Sequence, residues 1–452
     1  MSNRRRNLLP RSTRVRVALA AAVVVLILAA VIGGSVYEHQ RTGSIYHPHA
    51  RFVPQPTPTL PASGAGHFAW PLYGYDHNHT RFFPAASYVH APFKRLWVHV
   101  GRALLEFPPV IYGEHIYQLA DSAVLNAFDK RTGHLIWSRP LGQLSASTPA
   151  VTSNTLYVTI LYSGHPSSPG RIIALNSANG AVRWWRALPS GSESSPMLAH
   201  GDVFFGSQNG TVYALNDRNG DRVWTYHAQA AVKASPTLAN GVLYFGDYSG
   251  RLQAISERTG HRIWLSQSEG ALLGSGTFYS TAAVVYGRVF LGNTDGRIYA
   301  YDASTGKLDW AVQTGAYVYA SPAVTNAPGL GPTIYLGSYN GYFYAINARS
   351  GHIDWRFNAH GRISGSATIV GRIVYFADLG THRTYGLGIS TGRVTFQDST
   401  GSFDPVISDG TDIYLTGYSS LFDLQPTDLP AKSAARAPSA SAKTASSKSH
   451  QS

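Results

Sequence analysis

Ala214-Leu215-Asn216-Asp217-Arg218-Asn219-Gly220-Asp221-Arg222-Val223-Trp224 is one of seven copies of an eleven-residue phrase in this chain. A small residue opens the phrase, Asp, Asn or a substitute stands third, Gly seventh and an aromatic eleventh. The other copies are Ala127–Trp137, Ala174–Trp184, Ala254–Trp264, Ala300–Trp310, Ala345–Trp355 and, in degraded form, Gly386–Phe396. Their openings lie 40 to 47 residues apart, the range in which a repeat is one propeller blade. Each copy reads as strand, turn, strand. A period-2 run such as Thr211-Val212-Tyr213 precedes it, and the turn Gly supplies positive φ. Upstream, Ser235 to Leu238, the turn Asn240-Gly241, Val242 to Gly246 and the signal Ser249-Gly250 add two more strands joined by tight turns. Each repeat is therefore a four-stranded antiparallel unit.

One such unit has too little apolar surface to stand alone, so it buries a face against its neighbour, and the aromatic at the eleventh place fills the seam. The seam positions are Trp97, Trp137, Trp184, Trp224, Trp264, Trp310, Trp355 and Phe396, which predicts eight blades. Trp97 has no blade before it, and Asp404 to Leu424 reads as inner strands with no final aromatic strand. The strand Phe93 to Val98 is therefore expected to close the last blade beside Ser420 to Leu424, leaving no long exposed edge. The expected fold is all-β, an eight-bladed β-propeller over residues 93–426, with a leader at 67–92 packing on it. Zero Cys leaves core burial and ring closure to supply stability, which a propeller of this size can do.

The phrase resembles the tryptophan-docking repeat of the PQQ-like, or quinoprotein-type, β-propeller superfamily, over about three quarters of the chain. Trp70-Pro71-Leu72-Tyr73-Gly74-Tyr75-Asp76 with Asn78 to Arg81 is similar to the segment that precedes such propellers. The Ser/Thr-Pro starts Thr148-Pro149, Ser195-Pro196, Ser235-Pro236 and Ser321-Pro322 add to the likeness. The superfamily includes dehydrogenases that carry pyrroloquinoline quinone (PQQ) and non-enzymatic propellers of BamB type, so fold alone does not choose between them. The resemblance to the dehydrogenases implies a quinone over a Trp floor, Ca²⁺ held by carboxylate and amide oxygens, an Asp base and, in many, a disulfide of adjacent Cys. Here there is no Cys, seven of nine Trp are committed to seams, Trp70 lies in the leader, and Trp185 follows a seam Trp. No cofactor is expected; PQQ and calcium belong only to the alternative, a dehydrogenase of sugars or alcohols.

Function is expected where the repeats differ. Aligned on the blade starts, Glu106, Ala146, Glu193, Lys233, Tyr279, Tyr319, Ser364 and Ser402 share one register and form a ring at one channel mouth, with Asp404 two steps further along. Ca²⁺ needs six to eight converging oxygens, which two Glu beside a Lys do not provide. Glu106, Glu193, Lys233, Tyr279, Tyr319 and Asp404 are the binding candidates; no catalytic or metal residue is expected. The pair His77 and His79 offers too few ligands for a metal site. His134, His261 and His352 follow the turn Gly and are expected to face solvent.

Outside the propeller, Arg4, Arg5, Arg6, Arg11, Arg14 and Arg16 precede a charge-free run at 17–37, long enough to cross a bilayer as a helix. The basic flank 1–16 is expected in the cytoplasm and the rest outside; the competing reading is a cleaved signal peptide with Gly33-Gly34-Ser35 at its end. Without Cys there is no lipoprotein-type anchor. Residues 38–66 are Pro-rich and read as an extended stalk, and 427–452 as a disordered Ala/Ser/Lys tail. The net charge of +13 is concentrated at the ends: Lys and Arg against Asp and Glu number 24 to 21 over residues 93–426. A nucleic-acid partner would need a basic stripe on the folded domain, and none is evident. The expectation is a single-pass, membrane-anchored extracytoplasmic scaffold for protein or cell-wall partners.

Overall fold

The computed structural model describes residues 43–47, 52–54 and 68–428, except 168 and 271–273. The expected cytoplasmic segment, membrane span and most of the stalk and tail lie outside the described residues. Among the described residues no helix is long and apolar enough to cross a membrane. The architecture is all-β: eight antiparallel blades arranged in a closed ring, each a run of four neighbouring strands, three of them extended by a short fifth. The first strands of successive blades touch one another and line the channel.

The third blade shows how the phrase builds a blade. Ala214 pairs with Trp224, and the register then shifts so that Leu215 faces Arg222. The extra residue is Val223, half exposed, and such a bulge twists the outer strand and re-aims the side chain beside it. The same shift occurs in all eight blades. It turns each Trp from its own blade toward the next one.

There the Trp meets the next copy of the turn. The Trp184 indole N–H donates to the Asp217 carbonyl at 3.0 Å, and a Cβ placed on Gly220 would lie 2.5 Å from the Trp184 ring. Trp97, Trp137, Trp224, Trp264, Trp310 and Trp355 repeat both contacts on the blades that follow them. The seventh-place Gly therefore meets two requirements: left-handed backbone, with φ 72° at Gly220, and a bare surface for an indole. Phe396 has no N–H to donate; it packs edge-on against Phe93, 5.4 Å between ring centres. Trp310 is 1% exposed because Ile45–Tyr46 pairs with Ala311 and Trp310 at the blade edge; Trp97, Trp137 and Trp355 are only partly buried.

The ring closes as expected. Phe93–Val100 pairs antiparallel with Ser420–Pro426, from Ser420↔Val100 to Pro426↔Phe93. The segment read as a stalk also touches the ring in two places: Ile45–Tyr46 as above, and Phe52, stacked on Tyr286 at 5.2 Å with the Arg349 guanidinium 4.7 Å from its ring.

The leader lies inside the channel. Ala69–Trp70 pairs with the innermost strand of the first blade, and Phe82–Phe83 pairs parallel with that of the seventh. Between them, the carbonyls of Pro71, His77, Asn78, Thr80 and Arg81 accept from the N–H groups of Val151, Leu238, Val284, Val324 and Ile369. These donors lie on inner strands, which no strand of their own blade flanks on the channel side, and a buried N–H without an acceptor is costly. The leader satisfies them around most of the ring, and Tyr75, His79 and Arg81 take positive φ as the chain winds through the narrow circle. His79 is 1% exposed and bonds Thr237 through Nδ1 at 2.9 Å, while His77 is exposed.

Candidate functional site at the channel mouth

Just beyond the point where the inner strands begin, the eight starts follow one pattern. At the place where several blades carry Ser or Thr before Pro, hydroxyls bond the backbone of the preceding blade: those of Thr148 and Ser235 donate to the carbonyls of Pro108 and Ser195, and four others accept. Thr148 N–H donates to Ser195, Ser235 N–H to Thr281, Thr281 N–H to Ser321 and Ser321 N–H to Ser366. In the eighth blade the hydroxyl is replaced by the carboxylate of Asp404, which accepts from Ser366 N–H. The result is a buried polar belt that fixes the inner strands to one another.

Asp404, two steps along from the rim register as the alignment places it, lines the mouth from within this belt. It is 5% exposed. Burial raises its pKa, opposed first by Arg81. That Arg, from the leader, stands 3.7 Å from the carboxylate and 3.9 Å from the centre of the Tyr73 ring. Tyr73 in turn hydrogen-bonds Ser366 at 3.0 Å, and burial pushes its hydroxyl up to about 12. Tyr73 and Arg81 went unnoticed as site residues because the leader carries no repeat against which to align them.

Above the belt lies a cavity of about 40 Å³, lined by all six candidates, Glu106, Glu193, Lys233, Tyr279, Tyr319 and Asp404, with Tyr73 and Ser364. The register alignment thus brought together side chains from blades far apart in sequence. Ala146 and Ser402 of the same register do not line it. Lys233 Nζ contacts Glu193 at 2.8 Å and lies 4.8 Å from the centre of the Tyr248 ring. On the other side, tyrosines form a continuous wall: Tyr279 to Tyr319 at 5.7 Å, Tyr319 to Tyr339 at 5.0 Å and Tyr317 to Tyr319 at 5.8 Å. Glu106 is partly buried and pushed up to about 7, first by desolvation and then by Asp121, Asp404 and Glu193, with Lys233 opposing.

The residues present do not fit a quinone with its calcium. A bound organic cofactor needs roughly 300 Å³ or more, several times the space at this mouth. Among the described residues, no three His, Asp or Glu side chains stand together as a metal-holding group. Trp70 is 2% exposed and paired to the first blade, packed with Tyr75 and Phe83. His134, His261 and His352 are exposed, as expected from their place after the turn Gly.

Comparison with known proteins gives the lineage. A family model described as "Outer membrane protein assembly factor BamB" matches residues 120–271 and 249–420. Over 103 residues the chain is 29% identical to the outer membrane protein assembly factor BamB of Yersinia pestis, covering 22% of this chain and 24% of that protein; the chain thus matches about a quarter of that relative's length. The crystal structure of BamB from Moraxella catarrhalis superposes with a TM-score of 0.58 at 17% identity, over 74% of this chain and 99% of that one. A quinohemoprotein alcohol dehydrogenase from Pseudomonas putida HK5 superposes with a TM-score of 0.67 at 12% identity, over 80% and 81%. At such identities these likenesses show the fold alone. With about two thirds of its length matched by the family model, the chain belongs to the BamB family of PQQ-like β-propellers.

Proposed function

We propose that the protein is a non-catalytic scaffold that binds a protein of the cell envelope through the open mouth of its channel. The observation that carries this reading is the mouth itself. Eight blade starts converge there, seven of the eight seam aromatics are committed to docking on the next blade, and the space left takes a side chain rather than a cofactor. The relatives named as assembly factors support a protein partner. We further propose that residues 17–37 anchor the chain in a membrane with the propeller outside, on the strength of the Arg-rich flank and the charge-free run.

Affinity capture of the full chain from solubilised membranes tests this. The expected result is a protein partner that is lost when Glu106, Glu193, Lys233, Tyr279 and Tyr319 are together changed to Ala. Capture of the same partner by wild type and variant would place binding elsewhere. The dehydrogenase alternative is tested by adding PQQ and Ca²⁺ to the full chain with alcohols or sugars. No dye reduction is expected; substrate-dependent reduction would replace the scaffold by an enzyme.

A further inference from the structure

Two glutamates face the mouth, and one of them already holds a cation of this chain. Lys233 sits on Glu193 at 2.8 Å and on the face of Tyr248. An ammonium between a carboxylate and a tyrosine ring is therefore a contact this mouth makes for itself. Glu106 shares the cavity with Tyr279 and Tyr319 and has no ion-pair partner among the described residues. The other cation beneath the mouth, Arg81, is buried against Asp404. With Glu106 ionised, Glu106, Glu193 and Asp404 outnumber Lys233 and Arg81 by one, Asp121 acts on Glu106 with the same sign, and Arg362 stands further out against the Tyr339 ring at 5.9 Å.

The cavity of about 40 Å³ is a few times the roughly 10–15 Å³ of probe-occupied space that one water needs. It admits an ammonium group and excludes a sugar ring or a nucleotide. A lysine carries its charge at the end of a thin apolar stem that tyrosine walls can cover. Amines on polysaccharides sit beside bulky rings that this opening does not admit. We infer that the mouth receives the ammonium of one lysine from a protein partner, with Glu106 as its counter-ion and Tyr279 and Tyr319 as its walls. This rests on the scaffold reading above. Binding requires ionised Glu106 under the influence of Asp121, Asp404, Glu193, Lys233 and the Tyr279 hydroxyl, so affinity should rise from pH 6 to pH 8.

The test uses the full chain and a five-residue peptide, capped at both ends, with a single central lysine. Saturation-transfer NMR is expected to show contact at the lysine ε-methylene, abolished when the lysine is acetylated. Affinity should fall at least tenfold in Glu106→Gln, whose fold is checked by thermal unfolding. Equal transfer to the acetylated peptide would overturn the inference, and that arm needs no variant. So would unchanged affinity in Glu106→Gln, or tighter binding of glucosamine than of the peptide. If Glu106→Gln still captures the membrane partner, the lysine inference fails while the scaffold reading stands; if wild type captures none, the scaffold reading fails.

Discussion

At the residue scale, the turn Gly and Glu106 make opposite kinds of demand. Gly220 and Gly241 both hold positive φ, 72° and 74°, but a Cβ on Gly220 meets the Trp184 ring whereas one on Gly241 meets nothing within 4 Å. Gly241→Ala should therefore cost only the backbone strain, about 1 kcal/mol. Gly220→Ala adds overpacking and should cost about 2 to 5 kcal/mol. Denaturant unfolding of the two variants checks this, and equal losses would show that the indole does not rest on the Gly. Glu106 is an acid whose folded pKa, about 7, lies above its ordinary 4.5. The folded state then holds a proton that the unfolded state releases, so this residue's ionisation erodes stability as pH rises from about 4.5 to about 7. Glu106→Gln should raise the melting temperature relative to wild type at pH 8 and lose that advantage by pH 4. A pH-independent difference would contradict this placement of Glu106. The repeat made Gly visible as a turn former, but not as an indole platform, because that contact joins two copies of the phrase rather than residues within one.

At the element scale, the leader and the belt explain each other. Asp404 is a carboxylate in a hydroxyl's place, tolerated because Arg81 reaches it from the leader. Arg81→Met should leave that charge buried and unpaired, a loss of about 3 to 5 kcal/mol. Adding Asp404→Ser, which restores the residue type of the other belt positions, should return most of the stability. If the double variant is no more stable than Arg81→Met in chemical denaturation, the pairing does not account for the fit between leader and ring. The Ser/Thr-Pro starts were legible as a repeated sign of blade entry. Their hydrogen bonds to the preceding blade were not, since spacing along one chain does not show which backbone faces which hydroxyl. The bulge before each Trp was equally hidden: a period-2 reading cannot see one extra residue in an outer strand.

At the scale of the whole molecule, blade number and closure were legible because both follow from counting. Eight seam aromatics need eight blades, and an unmatched Trp97 needs a partner strand from the far end. Truncation after Asp404 removes Ser420–Pro426 and leaves Phe93–Val100 without its sheet. That protein is expected to elute as oligomers or aggregate, and a native-like monomer in light scattering would contradict closure by this strand. The path of the leader through the channel was not legible beyond its presence, because its backbone bonds run to six blades from a segment with no internal period. The mouth was legible only as a register; its small volume and the pairing of Lys233 with Glu193 emerge from the packed ring. The most direct test of the central claim is photo-cross-linking from the mouth: a photoreactive residue at Tyr319 of the full chain, in its native cells. A discrete adduct to one protein is predicted from Tyr319 and not from the same probe at exposed Val182 on an outer strand. No protein adduct from Tyr319, or an equal one from Val182, would contradict the claim that this propeller works by binding a partner at its channel mouth.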